Sequence, residues 1–327
     1  MKSTFRMLQC GILAVAWLLA GCNSDIFIDR FLSAEPSVSL SETENDVTVC
    51  FEADHWDILG IESLRDGVAV SATDLEGKNS KYLPFEEGET GIVYCRNAFL
   101  DFRVEKRNGS ELHFISGENL YDQPFETLVR VGNRYEEKVI RVSFSPTRKY
   151  QIDSVAYDWS QFSSSDYMLE PVEQMEVNTL TASSPTTLYF YPYNNSARIV
   201  EFYMQYGSWG GDEDDLRKLL GDAASQVEIP DIVNGAPGLH GTKASFCHLE
   251  QRLDAGLDKE LKVPKTVEPG KHVCLEVYNG IERYDVPYKA YLSNSLTGKK
   301  LVISGMLSSK RPFNYLIIPS AITDEDK

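Results

Sequence analysis

The 327-residue chain carries 49 Asp and Glu against 32 Lys and Arg, a formal charge of −17 at pH 7. That excess excludes nucleic acid as a partner, because phosphates demand cations, and it opposes peripheral adsorption to anionic lipid. The length is too great for one small core and implies two or three domains.

In chain order, the first element is a leader. Lys2 and Arg6 precede the apolar run Gly11 to Ala20, which is far shorter than the ~20 residues that span a bilayer. Leu19-Ala20-Gly21-Cys22 closes the run with two small residues and a cysteine, and this resembles the lipobox of bacterial lipoproteins. The resemblance implies cleavage before Cys22, which removes the charges of Lys2 and Arg6 and takes the chain from −17 to −19. It also implies that Cys22 carries acyl chains such as palmitate; two or more chains anchor stably where one holds reversibly. The expected location is the cell envelope, on the outer membrane, facing either the periplasm or the surface. Residues 22–36 read as a lipidated tether, in which Asp25, Asp29 and Arg30 interrupt Ile26, Phe27, Ile28, Phe31 and Leu32.

From residue 37 to 147 the hydrophobic period is two. Val47, Val49 and Phe51 alternate with Thr48, Cys50 and Glu52; Leu100, Phe102 and Val104 with Asp101, Arg103 and Glu105; Ile140, Val142 and Phe144 with Arg141 and Ser143. These are half-buried strands, separated by turn signals such as Asp66-Gly67, Glu76-Gly77 and Asn108-Gly109. They predict an immunoglobulin-like β-sandwich. Val47-Thr48-Val49, Trp56-Asp57-Ile58 leading to Gly67, Leu112-His113-Phe114 with Asn119, and a last strand at Val139 to Phe144 together resemble a BACON domain. The resemblance implies a module of exported lipoproteins with a carbohydrate-binding or mucin-binding role.

Residues 148–327 predict a larger β-rich domain with one short helix, so the whole chain is expected to be mainly β. Strand character appears at Ile152 to Tyr157, Thr187 to Tyr193 and Arg198 to Tyr206. The helix is expected at Asp214 to Leu220, with acids in its first turn, Leu216, Leu219 and Leu220 on one face, and Gly221 as a C-terminal stop. Four further short strands are expected at Val273 to Val277, Tyr284 to Leu292, Leu301 to Ile303 and Tyr315 to Ile318. Val263-Pro264, Val267-Glu268-Pro269-Gly270-Lys271, Val286-Pro287-Tyr288-Lys289-Ala290 and Ile303-Ser304-Gly305 are similar in rhythm to the end of aerolysin-like β-toxins. Such toxins build membrane pores from hairpin arms rich in Ser and Thr. Between Ser196 and Leu261, however, this sequence reads as a helical, acidic segment in place of two such arms.

Export permits disulfides. Cys50 with Cys95 and Cys247 with Cys274 are the simplest pairings; four separate buried thiols are the alternative. Cys247-His248 and His272-Val273-Cys274 have the number of ligands zinc takes, but adjacent strand residues face opposite sides, so no metal site is expected. Asp212-Glu213-Asp214-Asp215 lacks calcium-loop spacing and suits a helix N-terminus. No nucleophile elbow, phosphate loop or HExxH occurs, so neither an enzyme nor a cofactor is expected.

The remaining candidate site is aromatic. Tyr189, Tyr191 and Tyr193 would share one face of a strand, with Tyr206 and Trp209 nearby and Asn194 and Asn195 to bond sugar hydroxyls; the competing reading places these rings in the core. The favoured expectation is a lipid-anchored, non-catalytic envelope protein, held to the membrane through Cys22, that recognises a glycan or an envelope protein. A structural accessory or assembly lipoprotein is the alternative. An aerolysin-like pore former ranks third and a glycoside-active enzyme fourth.

Overall fold

A computed structural model describes residues 31–32, 36–62, 64–86, 88–204, 213–222 and 225–322. Cys22 and the leader lie outside them, as do Tyr206 and Trp209. The chain forms two units, Met1–Arg148 and Lys149–Lys327.

Unit 1 contains β1 (Ser37–Leu40), β2 (Asp46–Cys50), β3 (Asp57–Glu62), β4 (Ala69–Thr73), β5 (Ser80–Lys81), β6 (Gly91–Arg96), β7 (Leu100–Lys106), β8 (Glu111–Asn119), β9 (Phe125–Gly132) and β10 (Glu137–Phe144). They make two sheets, ordered β1-β10-β9-β3 and β2-β8-β7-β6-β4-β5. The period-two pattern places Phe102 and Val104 of β7, Phe114 of β8, Val129 and Val131 of β9 and Phe144 of β10 in one shared, fully buried core, as alternation on pleated strands requires. Trp56 stacks on Phe51 with ring centroids 3.7 Å apart, and its indole N–H donates to the Gly109 carbonyl at 2.5 Å. Lys106 is completely buried; its ammonium donates to the Trp56 carbonyl at 2.6 Å and pairs with the Asp57 carboxylate.

The last part of the predicted tether belongs to this sandwich. Phe31 and Leu32 are buried in its core, and the Phe31 carbonyl accepts from the Glu52 N–H at 2.9 Å. Their apolar side chains gain from burial, which overrides the neighbouring charges.

Unit 2 contains β11 (Gln151–Tyr157), β12 (Ser163–Asn178), β13 (Thr186–Phe190), β14 (Arg198–Met204), α1 (Glu213–Leu220), β15 (Gln226–Val233), β16 (Ala236–Ser245), β17 (Gln251–Leu253), β18 (Val263–Val267), β19 (His272–Ser293) and β20 (Lys300–Ala321). The main sheet runs β11-β19-β20-β14-β17, and β12 also pairs with β19. Helix α1 forms where expected, with Leu216 and Leu219 buried and Gly221 at φ +85°.

The four short strands expected after residue 272 are instead two continuous strands of 22 residues each. They pair antiparallel from Val273↔Ala321 to Ser293↔Lys300, a ribbon of roughly 70 Å at about 3.3 Å per residue. Gly280 and Gly305, inside the two strands, are positions of close approach. A Cβ on Gly305 would lie 2.1 Å from the Tyr203 carbonyl oxygen, and one on Gly280 would lie 1.8 Å from Asn314 Oδ1.

All four described cysteines are free thiols, so neither expected disulfide forms. Cys50 on β2 and Cys95 on β6 are three strand spacings apart in one sheet, roughly 14 Å at about 4.8 Å per spacing and beyond the ~7 Å limit for bridging. Phe246, next to Cys247, packs on Tyr288 at 5.6 Å. Cys274 lies fourteen residues along the same strand from Tyr288, roughly 45 Å away at about 3.3 Å per residue. That separation also keeps the two Cys and His pairs from converging on a metal. Burial pushes the Cys95 thiol up to about 12.

Candidate functional site

The segment between β14 and β17 carries the expected acidic helix α1 and, against expectation, a β-hairpin. β15 and β16 pair from Gln226↔Ser245 to Val233↔Ala236, closed by Asn234 at φ 52° and Gly235 at φ 78°. Two consecutive left-handed residues define the tight turn that Asn-Gly favours, because its twist matches that of the strands. This dipeptide was the available signal for the hairpin.

The hairpin forms a two-stranded sheet of its own. The outer edge of β15 is held by side chains. The Glu228 carbonyl accepts from the Tyr157 hydroxyl at 2.8 Å. The Pro230 carbonyl accepts from Arg198 Nη2 at 2.6 Å and from the Tyr284 hydroxyl at 2.5 Å. The Ile232 carbonyl accepts from Arg311 Nη2 at 2.8 Å. Three alternate carbonyls of one strand edge are therefore met by donors from β11, β14, β19 and β20. Strand register brings these donors to one face of the main sheet: Tyr284, Ser309 and Val200 are direct cross-strand partners, and Arg198 and Arg311 lie two residues along their strands on that face.

Arg198 is the centre of the latch. It is 3% exposed. Its Nη1 pairs with the Asp231 carboxylate, its Nε donates to Ser309 Oγ at 2.9 Å, and its Nη2 also donates to the Tyr284 oxygen at 2.8 Å. Asp231 in turn accepts from the Thr242 hydroxyl of β16 at 2.5 Å, which ties both arms to the guanidinium. Burial raises the phenol pKa of both Tyr157 and Tyr284 above its ordinary value, so both remain protonated donors at neutral pH.

The hairpin tip has a different character. Residues Ile232 to Leu239 read Ile-Val-Asn-Gly-Ala-Pro-Gly-Leu, without a charge in a chain of −17. Val233 is 42% and Leu239 45% exposed.

The aromatic platform does not assemble as expected. β13 ends at Phe190, so alternation stops before Tyr191 and Tyr193. Tyr189 and Tyr191 are exposed, but one face of the Tyr189 ring is covered by the Lys262 ammonium at 4.0 Å. Tyr193 is buried and sets its ring edge against Tyr315, with centroids 5.6 Å apart. Asn194 and Asn195 are exposed on the turn that follows. Neither Arg198 nor Asp231 was singled out from the sequence; a lone arginine opening an aromatic strand was the one hint.

No protein-family model and no curated protein matches the chain. Among solved structures, it is similar to a lamprey immune protein, at 13% identity and a TM-score of 0.34 over 84% of this chain and 99% of that one. It is similar to a β-pore-forming protein from Brevibacillus laterosporus, at 9% identity and a TM-score of 0.27 over 62% of this chain and 81% of that one. It is also similar to an aerolysin-like protein from Bombina maxima, at 12% identity and a TM-score of 0.24 over 54% of this chain and 100% of that one.

Proposed function

We propose that unit 2 is a membrane-inserting β domain of the aerolysin-like kind, and that β15 and β16 form the inserting hairpin. The observation that carries this is the latch: a hairpin held to the sheet by side-chain donors, with an exposed, uncharged tip. Side-chain bonds of this kind release without breaking a strand ladder. Val227, Ile229 and Ala244 alternate with Gln226, Glu228, Lys243 and Ser245 along the arms, the two-faced pattern a barrel strand needs. The arms of eight and ten residues approach the ~9–11 that cross a bilayer at a tilt. An open strand edge is not tolerated in hydrocarbon, so insertion requires several chains to close a barrel. Export and anchoring through Cys22 would present unit 2 at an envelope membrane, with the BACON-like sandwich as a spacer.

The test is release of an entrapped dye from liposomes by the purified protein, alongside Val233→Asp and Leu239→Asp. Release by the parent, lost in both variants, with oligomers on the membrane, supports the proposal. Intact liposomes and a monomeric protein at every lipid composition tried would reject it.

A further inference from the structure

On the face of the main sheet opposite the latch lies a cleft of about 270 Å³. Its floor follows from register. β19 and β20 shift by one residue between Gly280 and Ile281, so that Ile281 opposes Pro312 while Asn279 opposes Tyr315. Glu170 of β12 opposes Asn279 from the other side. Ile199 of β14 opposes Lys310 on one side and Arg252 on the other. Directly opposed residues share a face, and successive residues alternate, so Arg198 and Ser309 serve the latch while Ile199 and Lys310 serve the cleft. The wall is the turn between β13 and β14, held down by Tyr193 on Tyr315, and Asn195 and Ser196 line it.

One group in this lining has unmet bonding capacity, and a second offers a cation without an ion pair. Asn279 is 7% exposed, and its Oδ1 has no hydrogen-bond partner among the described residues. A buried acceptor without a donor is costly and calls for a ligand donor or a water. Lys310 is engaged by Glu170 at 2.9 Å, whereas Arg252, also in the lining, has no ion-pair partner among the described residues. Arg252 and Asn279 lie on strands that are not neighbours, and the cleft is the space that both line.

We infer that this cleft binds an acidic monosaccharide. A ring hydroxyl donates to Asn279 Oδ1, the sugar carboxylate accepts from the Arg252 guanidinium, and a C–H face lies on Ile199, Ile281 and Pro312. The volume sits at the small end of ligand cavities and suits one ring, not a chain. The site shares no residue with the latch, so it stands or falls independently of membrane insertion.

The experiment is calorimetric titration of the purified full-length protein with D-glucuronate, with D-glucose, inorganic phosphate and methyl β-D-glucuronide as parallel arms. Saturable glucuronate binding is expected, about tenfold weaker or more for glucose and for Arg252→Gln, as loss of a charge-assisted bond implies. Equal binding of the methyl glycoside marks glycan ends as the source of the ligand, and loss on methylation marks the free acid. Asn279→Ala should weaken binding of both; because that side chain is buried, the exposed Arg252→Gln provides the decisive variant. The inference is overturned by absence of saturable binding to cooperatively folded protein. Phosphate or glucose binding as tightly as glucuronate, or an Arg252→Gln variant that binds as the parent does, also overturns it.

Discussion

Replacing Asp231 by Ala tests the latch most directly. Arg198 loses its one carboxylate and keeps three neutral partners, Ser309 Oγ, the Pro230 carbonyl and the Tyr284 hydroxyl. With side-chain exposures of 4% for Arg198 and 9% for Asp231, the pair is buried, and removing one member of such a pair costs ~3–5 kcal/mol because the other charge is left uncompensated. The hairpin is joined to the sheet through side chains, so the cost falls on the local equilibrium between seated and lifted hairpin. At about 1.4 kcal/mol per decade, the lifted population rises by roughly two to three and a half orders of magnitude. Native-state hydrogen exchange reads this directly. A lifted two-stranded hairpin is at best marginally stable by itself, so the amides bonded between β15 and β16 should exchange faster by up to that factor, while those between β19 and β20 keep the parent rate. Asp231→Asn, which retains an acceptor for Arg198, should fall between. Equal acceleration in the ribbon would show that the pair supports the whole unit, and unchanged hairpin exchange would show that no latch exists; either result refutes the reasoning.

Tyr284→Phe and Tyr157→Phe should each accelerate hairpin exchange by about tenfold or less, the size of one neutral hydrogen bond, as read in the same exchange experiment. Because burial raises both phenols above 10.0 in the fold, the unfolded chain loses these protons first as pH rises; stability is full below about pH 10 and declines above it, which a melting series from pH 8 to 11 will show as a falling Tm. The double phenylalanine variant should flatten that decline. Gly305→Ala should destabilise unit 2 by more than about 2 kcal/mol in a denaturant titration, since its Cβ would meet the Tyr203 carbonyl at 2.1 Å. Of the four described cysteines, Cys50 is exposed and Cys95 buried, so a thiol reagent should modify Cys50 in the native protein and reach Cys95 only on unfolding, with mass mapping as the readout.

Much of the architecture was legible because its cause is local. Alternation along Leu100 to Glu105 and Ile140 to Phe144 fixes which side chains face a core, and acids before Leu216 and Leu219 with Gly221 behind them fix a helix and its end. Asn234-Gly235 was equally local, a hairpin signal in plain view. Its arms were obscured by Pro230, Pro237, Gly238 and Gly241, residues that weaken strand propensity without forbidding a strand.

What the sequence by itself determined is therefore the class of the chain and the faces of its strands. The tertiary structure alone decided the rest. Whether Gly280 and Gly305 end strands or admit close neighbours depends on what lies across from them. Whether Cys247 can meet Cys274 depends on a ribbon length set by pairing. The two sites follow the same rule: Arg198 and Asp231 are 33 residues apart, and Asn279 and Arg252 belong to strands that are not neighbours in the sheet. Periodicity records which way a side chain points; only the non-local pairing of strands determines what it meets there.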